Sequence, residues 1–241
     1  MVRFGPPLVE SRGIAVSMTT KRPRSTRDRP AKAPLSEEAI VDAALVILES
    51  EGLGAVSMRR VAAALDTGAG SLYVYVNGRD GLVEALFDRI IATIEVETPD
   101  PSRWRAQLHS LLERTRGVLV AHPGMAAATM VDPPRTLVAM RLLEGLFGIL
   151  LAGSIDPQDA AWAADILVAQ VTYAAIEADS RRMDTTTLVE EVGANFSRLP
   201  ADEFPLISTH IAELVAGDVD QRCRFAIDVV IDGLVGKGSA D

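Results

Sequence analysis

The chain of 241 residues holds a single cysteine, Cys223, which excludes an internal disulfide and any cysteine-built zinc site. Cys223 itself reads as a small helix-face residue rather than a reactive thiol. Aromatic residues make up only 5% of the sequence, whereas Ala, Leu and Val are abundant. That balance suits closely packed helices better than a β-sandwich, so an all-α fold is expected. No apolar run reaches the ~18 residues of a membrane span, and the first residues are too polar and proline-rich for a signal peptide. The expectation is a soluble, cytoplasmic protein that meets no membrane. Also missing are internal repeats, a glycine-rich phosphate loop, a nucleophile elbow and a spaced set of metal ligands. No catalytic residue, metal or cofactor is therefore expected. His109 and His122 have no His, Asp or Glu partners at ligand spacing, and His122, just before Pro123, reads as a helix end.

A surplus of positive charge is absent as well, for the net charge is −9. Its distribution matters more than its sum. Residues 1–35 carry +6, so Ser36 onward carries −15. An acidic body with a basic lead-in is compatible with DNA binding when the contacts are local. Residues 1–34 show no helical or strand periodicity and combine proline with dense charge, the pattern of a flexible arm. Lys21, Arg22, Arg24, Arg27 and Arg29 are placed to lie along phosphates or enter a minor groove. The alternatives are a solubilising tail, or an upstream extension with Met18 as the true start.

What is present is organised around Val56 to Gly81. Ser57 to Leu65 offers Ser57 as an N-cap with Val61, Ala62 and Leu65 as one buried stripe. Thr67 to about Val76 puts Leu72 and Val76 on one side and turns Ser71, Tyr73 and Tyr75 elsewhere. Two short helices joined by about three residues are the geometry that sets a second helix into the DNA major groove.

Upstream, Ser36 caps a helix with Glu37 and Glu38 in its first turn, a stripe of Ile40, Ala43, Ala44, Ile47 and Leu48, and a stop at Gly52. Downstream of the Asn77-Gly78 turn, Asp80 is the expected cap of a linking helix that runs to about residue 97, before Pro99. Thr98-Pro99-Asp100-Pro101 is the best domain boundary. Helices are then expected over 102–121, stopped by His122-Pro123-Gly124, over a short piece at 125–130, over 135–152, and over 157–182, with Pro157 near the first helical position. The last of these is alanine-rich on several sides and needs more than one packing partner. Residues 183–205 read as an irregular connector, followed by helices at 206–215 and 219–235.

This order resembles the TetR family of bacterial transcriptional regulators. Residues 36–97 carry the likeness in Glu51-Gly52, in Ser57-Met58-Arg59-Arg60-Val61-Ala62, in Leu72-Tyr73, and in the Asn77–Asp80 turn followed by Gly81-Leu82-Val83. The remainder is similar to the tetracycline-repressor-like body, through Trp104, Ala121-His122-Pro123-Gly124, Leu142-Leu143-Glu144-Gly145-Leu146 and the final helix. The resemblance implies a flexible arm at 1–34, a three-helix helix-turn-helix domain with its linking helix at 35–97, and a larger helical ligand-binding and dimerisation domain at 98–241. It implies a homodimer formed through helices near 157–182 and 219–236 that reads a roughly palindromic double-stranded operator.

By the same resemblance, Ser57 and Arg59 match DNA-touching positions at the start of the second helix, with Arg suited to bidentate contact with guanine. Thr67, Ala69, Gly70, Ser71, Tyr73 and Tyr75 match the recognition face, and Arg79 a phosphate contact after it. A half-buried packing role is the alternative for Tyr73, and Arg60 reads as a solvated charge. Gly68 and Gly70 depart from a good recognition helix, each costing roughly 1 kcal/mol against alanine. Part of that helix is expected to order only on DNA, and base reading to rest on Arg59, Ser71, Tyr75 and groove shape. The expected ligand pocket is walled by Trp104, Leu108, Met125, Met130, Met140, Leu143, Phe147, Ile166, Gln170, Tyr173 and Glu177, a lining suited to a largely apolar small-molecule inducer. The leading function is a repressor released from its operator by that ligand, through the linking helix. The alternatives are a protein-interaction module that has lost DNA binding, which the acidic body and the two glycines favour, and a helical enzyme.

Overall fold

A computed structural model describes residues 34–130, 135–182 and 185–238. Among them all regular structure is helical. The basic arm with Lys21 to Arg29, residue 183 at the head of the expected connector, and the Asp132-Pro133-Pro134 break lie outside the described residues.

Local chemistry sets the first elements. Helix α1 (Glu37–Glu51) begins where the Ser36 hydroxyl accepts the Ala39 N–H at 3.2 Å. It ends at Gly52, φ 79°, whose N–H returns to the Leu48 carbonyl. Its buried side is Ile40, Val41, Ala44, Ile47 and Leu48. After a 3-10 turn at Leu53–Ala55, α2 (Met58–Ala64) starts on Ser57, whose hydroxyl accepts the Arg60 N–H at 3.3 Å. Helix α3 spans only Ala69–Leu72 and is carried on by turns to Val76. Gly68 is its N-cap, with φ −82° and ψ 142°, so the interior-helix penalty expected at Gly68 does not apply there.

Helix α4 (Gly78–Ile91) corrects two expectations. Asn77 is its N-cap and Asp80 sits one turn inside, in reach of the helix dipole but not capping. The helix also stops at Ile91 rather than near 97. The Thr93 hydroxyl donates to the Ile90 carbonyl at 2.7 Å, and the following irregular stretch lies along a groove in α7 (Leu137–Ala152). There, a Cβ on Gly145 would overlap the Val96 side chain, and one on Gly148 would lie 3.2 Å from Pro99. Gly145 is therefore a close-approach position, one turn from Gly148 on the same face of α7. Gln107, buried in α5 (Trp104–Ala121), staples the stretch from below. Its Nε2 donates to the Thr98 carbonyl, and its Oε1 accepts the Asp100 N–H, both at 2.8 Å.

Beyond α5 come α6 (Met125–Thr129), α7, α8 (Pro157–Arg182), α9 (Thr185–Ser197), α10 (Pro205–Thr209), α11 (Ile211–Val215) and α12 (Val219–Gly238). The expected connector at 183–205 is thus mostly the helix α9. Leu188, Val189, Val192 and Phe196 repeat at helical spacing, and this outweighs the mixed polarity. The expected helix 206–215 is broken at His210, φ −116°, whose N–H folds back on the Leu206 and Ile207 carbonyls.

Two apolar cores result. One joins α1, α2, α3 and α4. The other lies between α5, α7, α8 and α12, where Ala160, Ala163, Ala164 and Ala174 let helices approach closely. Phe87 and Val118 touch both. Met125 is fully buried and belongs to the first core, although it comes from the body's α6. Its preceding residue, Gly124 at φ 87°, donates its N–H to Asp179 Oδ2 of α8 at 2.8 Å.

Candidate DNA-reading face and ligand cavity

Leu72 and Val76 anchor α3 and its following turn in the first core, and this decides which residues face outward. Gly70 and Ser71 are exposed, Tyr73 is 60% and Tyr75 40% exposed, and Thr67 and Ala69 are half-buried. Tyr73 is therefore not the packing residue of the alternative reading. From α2, Arg59 points to solvent, while Ser57 is half-buried and uses its hydroxyl as the helix cap. Arg60 is no free charge. Its guanidinium forks onto Glu51, Nη1 to Oε2 at 2.7 Å, and this bonding holds the Glu51 carboxyl below its usual range and Arg60 above its own. The pair braces α1 against α2, beside the exposed Arg59. Arg79 is exposed in the first turn of α4, between this face and the cavity described next.

One residue of the face escaped sequence reasoning. Val74 is 81% exposed, more than any other large apolar side chain among the described residues. The signal was available, because only Leu72 and Val76 of the run 72–76 are needed by a four-residue core spacing, which leaves Val74 without an interior role.

A cavity of about 1000 Å³ lies between α4, α5, α7 and α8, with Ala128 to Met130 also in its lining. Val83, Phe87 and Ile91 of α4 face Leu111 and Leu112 of α5, Leu142 and Leu146 of α7, and Val168 of α8. The cavity lining also carries the charged groups of Arg79, Asp80, Glu84, Arg135 and Asp165. Inside it, the Thr136 hydroxyl donates to Asp88 Oδ1 at 2.6 Å and accepts the Ala139 N–H at 3.1 Å, so the N-cap of α7 is tied to α4. A mainly apolar cavity with polar groups in its lining has the make-up of a small-molecule site.

Of the expected wall, Met130 and Leu143 line this cavity. The other candidates lie elsewhere. Leu108 and Met125 are fully buried in the two cores. Trp104 packs where a side chain on Gly153 would otherwise stand, its ring 2.6 Å from the would-be Cβ, and Phe147 is half-buried against the body core. Met140, Ile166 and Tyr173 are exposed, Gln170 is half-buried outside the cavity, and Glu177 is ion-paired with Arg222 at 2.5 Å. The reason is common to most of them. A wide apolar helix offers several faces, and only packing against α4 selects the one that meets the chamber. Helix α4, read from the sequence as a link, also lines the cavity.

The histidines have ordinary partners. His109 Nε2 lies 2.9 Å from Asp228, and His122 Nδ1 lies 2.8 Å from the Val118 carbonyl. No cluster of three potential metal ligands occurs among the described residues. No described helix is long and apolar enough to cross a membrane.

Residues 40–86 match the family described as bacterial regulatory proteins, tetR family, and residues 98–237 match tetracyclin repressor-like, C-terminal domain. Apo ActR from Streptomyces coelicolor is 33% identical and superposes with a TM-score of 0.81, over 88% of this chain and 100% of that one. ActR in complex with actinorhodin is likewise 33% identical, with a TM-score of 0.79, over 85% of this chain and 97% of that one. The HTH-type transcriptional repressor DrrR1 of Streptomyces coeruleorubidus is 33% identical over 141 residues, which are 55% of this chain. The matched region spans about half, 51%, of the length of that repressor.

Proposed function

This chain belongs to the TetR family of bacterial regulatory proteins, and from that premise we propose that it is a cytoplasmic, ligand-responsive transcriptional repressor. Residues 35–97 are its DNA-binding domain and 98–241 its ligand-binding and dimerisation domain. Two copies present Ser57, Arg59, Thr67, Ala69, Gly70, Ser71, Tyr73, Tyr75 and Arg79 to the half-sites of a roughly palindromic operator. The second copy is the partner that the apolar stripes of α8 and α12 call for. Trp162, Ile166 and Tyr173 on α8 and Phe225 and Val229 on α12 are each more than half exposed.

The observation that carries the ligand response is the position of α4. One face of it, with Leu82 and Leu86, is buried in the core of the reading domain, and Arg89 pairs with Asp42 of α1 at 2.9 Å. Another face, with Val83, Phe87 and Ile91, walls the cavity. A molecule that fills the chamber presses on the helix that carries the reading face. A small, largely apolar ligand fits the lining, and actinorhodin, which ActR binds in its crystal structure, is the first compound to test.

The test is fluorescence anisotropy on DNA from upstream of the protein's own coding region. Specific binding weakened by Arg59→Ala more than binding to random DNA, and released by a compound that saturates the cavity, is the expected result. A compound that binds one per protomer and leaves operator affinity unchanged refutes the switch.

A further inference from the structure

The outermost position of the reading face belongs to a side chain with no polar atom. Leu72 and Val76 are buried on the inward side, and between and before them Val74, in the turn that continues α3, and Gly70, within α3, are left on the outward side. Neither is demanded by the protein's own packing. Val74 is 81% exposed, and a β-branched residue is a poorer helix former than a straight-chain polar one. At Gly70 a Cβ would meet nothing within 4 Å, and its φ lies outside the left-handed region, so alanine fits the fold and favours the helix.

Both choices acquire a reason in a major groove. There, thymine alone offers a C5 methyl, and apolar contact with that methyl is how it is told from the other bases. The absence of a Cβ one turn before Val74 lets the backbone come close to the base edges. We infer that Val74 reads the C5 methyl of a thymine in each operator half-site, and that the bare backbone at Gly70 sets how deeply it docks. This rests on the operator-binding reading above. It adds to that reading a specificity-determining residue and the base it selects. Arg59 and the phenols of Tyr73 and Tyr75, all exposed, supply the hydrogen bonds that Val74 cannot.

The experiment uses the full-length protein and the operator found by footprinting on its own upstream DNA. Each thymine of the half-site is replaced in turn by uracil, which deletes the methyl and keeps every hydrogen-bonding group. One replacement is expected to weaken wild-type binding about fourfold per half-site, the worth of a buried methyl, and about sixteenfold when made in both. Val74→Ala should bind the thymine and uracil operators equally. Gly70→Ala should raise the thermal midpoint by about 2–4 °C while weakening operator binding. The inference is overturned if no uracil replacement matters to the wild type, if Val74→Ala keeps the wild-type sensitivity at the same base, or if Gly70→Ala binds as tightly as the wild type. A protein that protects no DNA refutes the operator reading itself, and the two failures are thereby told apart.

Discussion

The substitution Gly→Ala should have opposite effects at two helix-interior positions of this protein. Gly117 lies in α5, exposed, with nothing within 4 Å of a would-be Cβ. Gly145 lies in α7, where the same Cβ would overlap Val96 Cγ1 and also stand 3.2 Å from Val96 Cβ. Alanine is favoured over glycine inside a helix by about 1 kcal/mol at either site. At Gly145 that gain is opposed by overpacking of about 1–3 kcal/mol, and a rotamer change of Val96 does not relieve it, because the Cβ contact remains. The upper part of that range applies, since the backbone of 95–97 must move and Gln107 holds the next residues by two hydrogen bonds. Gly117→Ala should therefore stabilise by about 1 kcal/mol, while Gly145→Ala should destabilise by about 1–2 kcal/mol. Urea melts monitored by circular dichroism separate the two through their midpoints, with unchanged slopes. Adding Val96→Ala should recover most of the loss in the Gly145→Ala background, although alone it destabilises. If Gly145→Ala stabilises as Gly117→Ala does, the extended stretch does not lie in the α7 groove and the early end of α4 needs another cause.

Thr136→Val deletes both the N-cap bond of α7, worth about 1 kcal/mol, and a bond to the Asp88 carboxylate, worth about 1.5–3 kcal/mol when fully desolvated. Partial exposure keeps the expected total near 2 kcal/mol, measured by urea denaturation, and Thr136→Ser should retain most of it. Cys223 is buried, and burial pushes its thiol above the ordinary value of 9.0, with Arg116 and Asp220 acting in opposite senses. Above pH 9 the unfolded thiol ionises before the folded one, so stability should fall as pH rises from there through the folded value. Cys223→Ala should flatten that slope in pH-dependent melts, and a thiol reagent should find no reactive group until the protein is unfolded.

The elements that sequence reasoning located well are those decided within a few residues. Ser36, Gly52 and Ser57 each satisfy a backbone group three or four positions away, so their meaning is written beside them. The end of α4 was not legible in this way, since it depends on Val96 meeting Gly145 across a long sequence separation. Most residues expected in the ligand wall do not line this cavity, for a related reason. Leu108, Met125 and Ile166 are all apolar at helical spacing, and only the packing of α4 against α7 and α8 decides which residues face a chamber. On the reading face, Ser71, Tyr73 and Tyr75 were placed outward by the spacing of Leu72 and Val76, and the same spacing, carried one step further, exposes Val74.

The placement of Met125 has a consequence for how this molecule comes apart. Its side chain is fully buried and belongs to the core built by α1 to α4, yet its backbone belongs to α6, whose entry at Gly124 is held by Asp179. The division at Thr98 that the chain suggests is thus not a division in packing. A fragment cut there would leave a methionine-sized hole in the smaller core, a vacancy that costs about 2–5 kcal/mol in other cores and that a small domain with little stability to spare cannot absorb. The two cores should melt together, in one transition. A protein whose halves share a single cooperative unit has no need of a stiff lever between them, because strain introduced in one is already strain in the other.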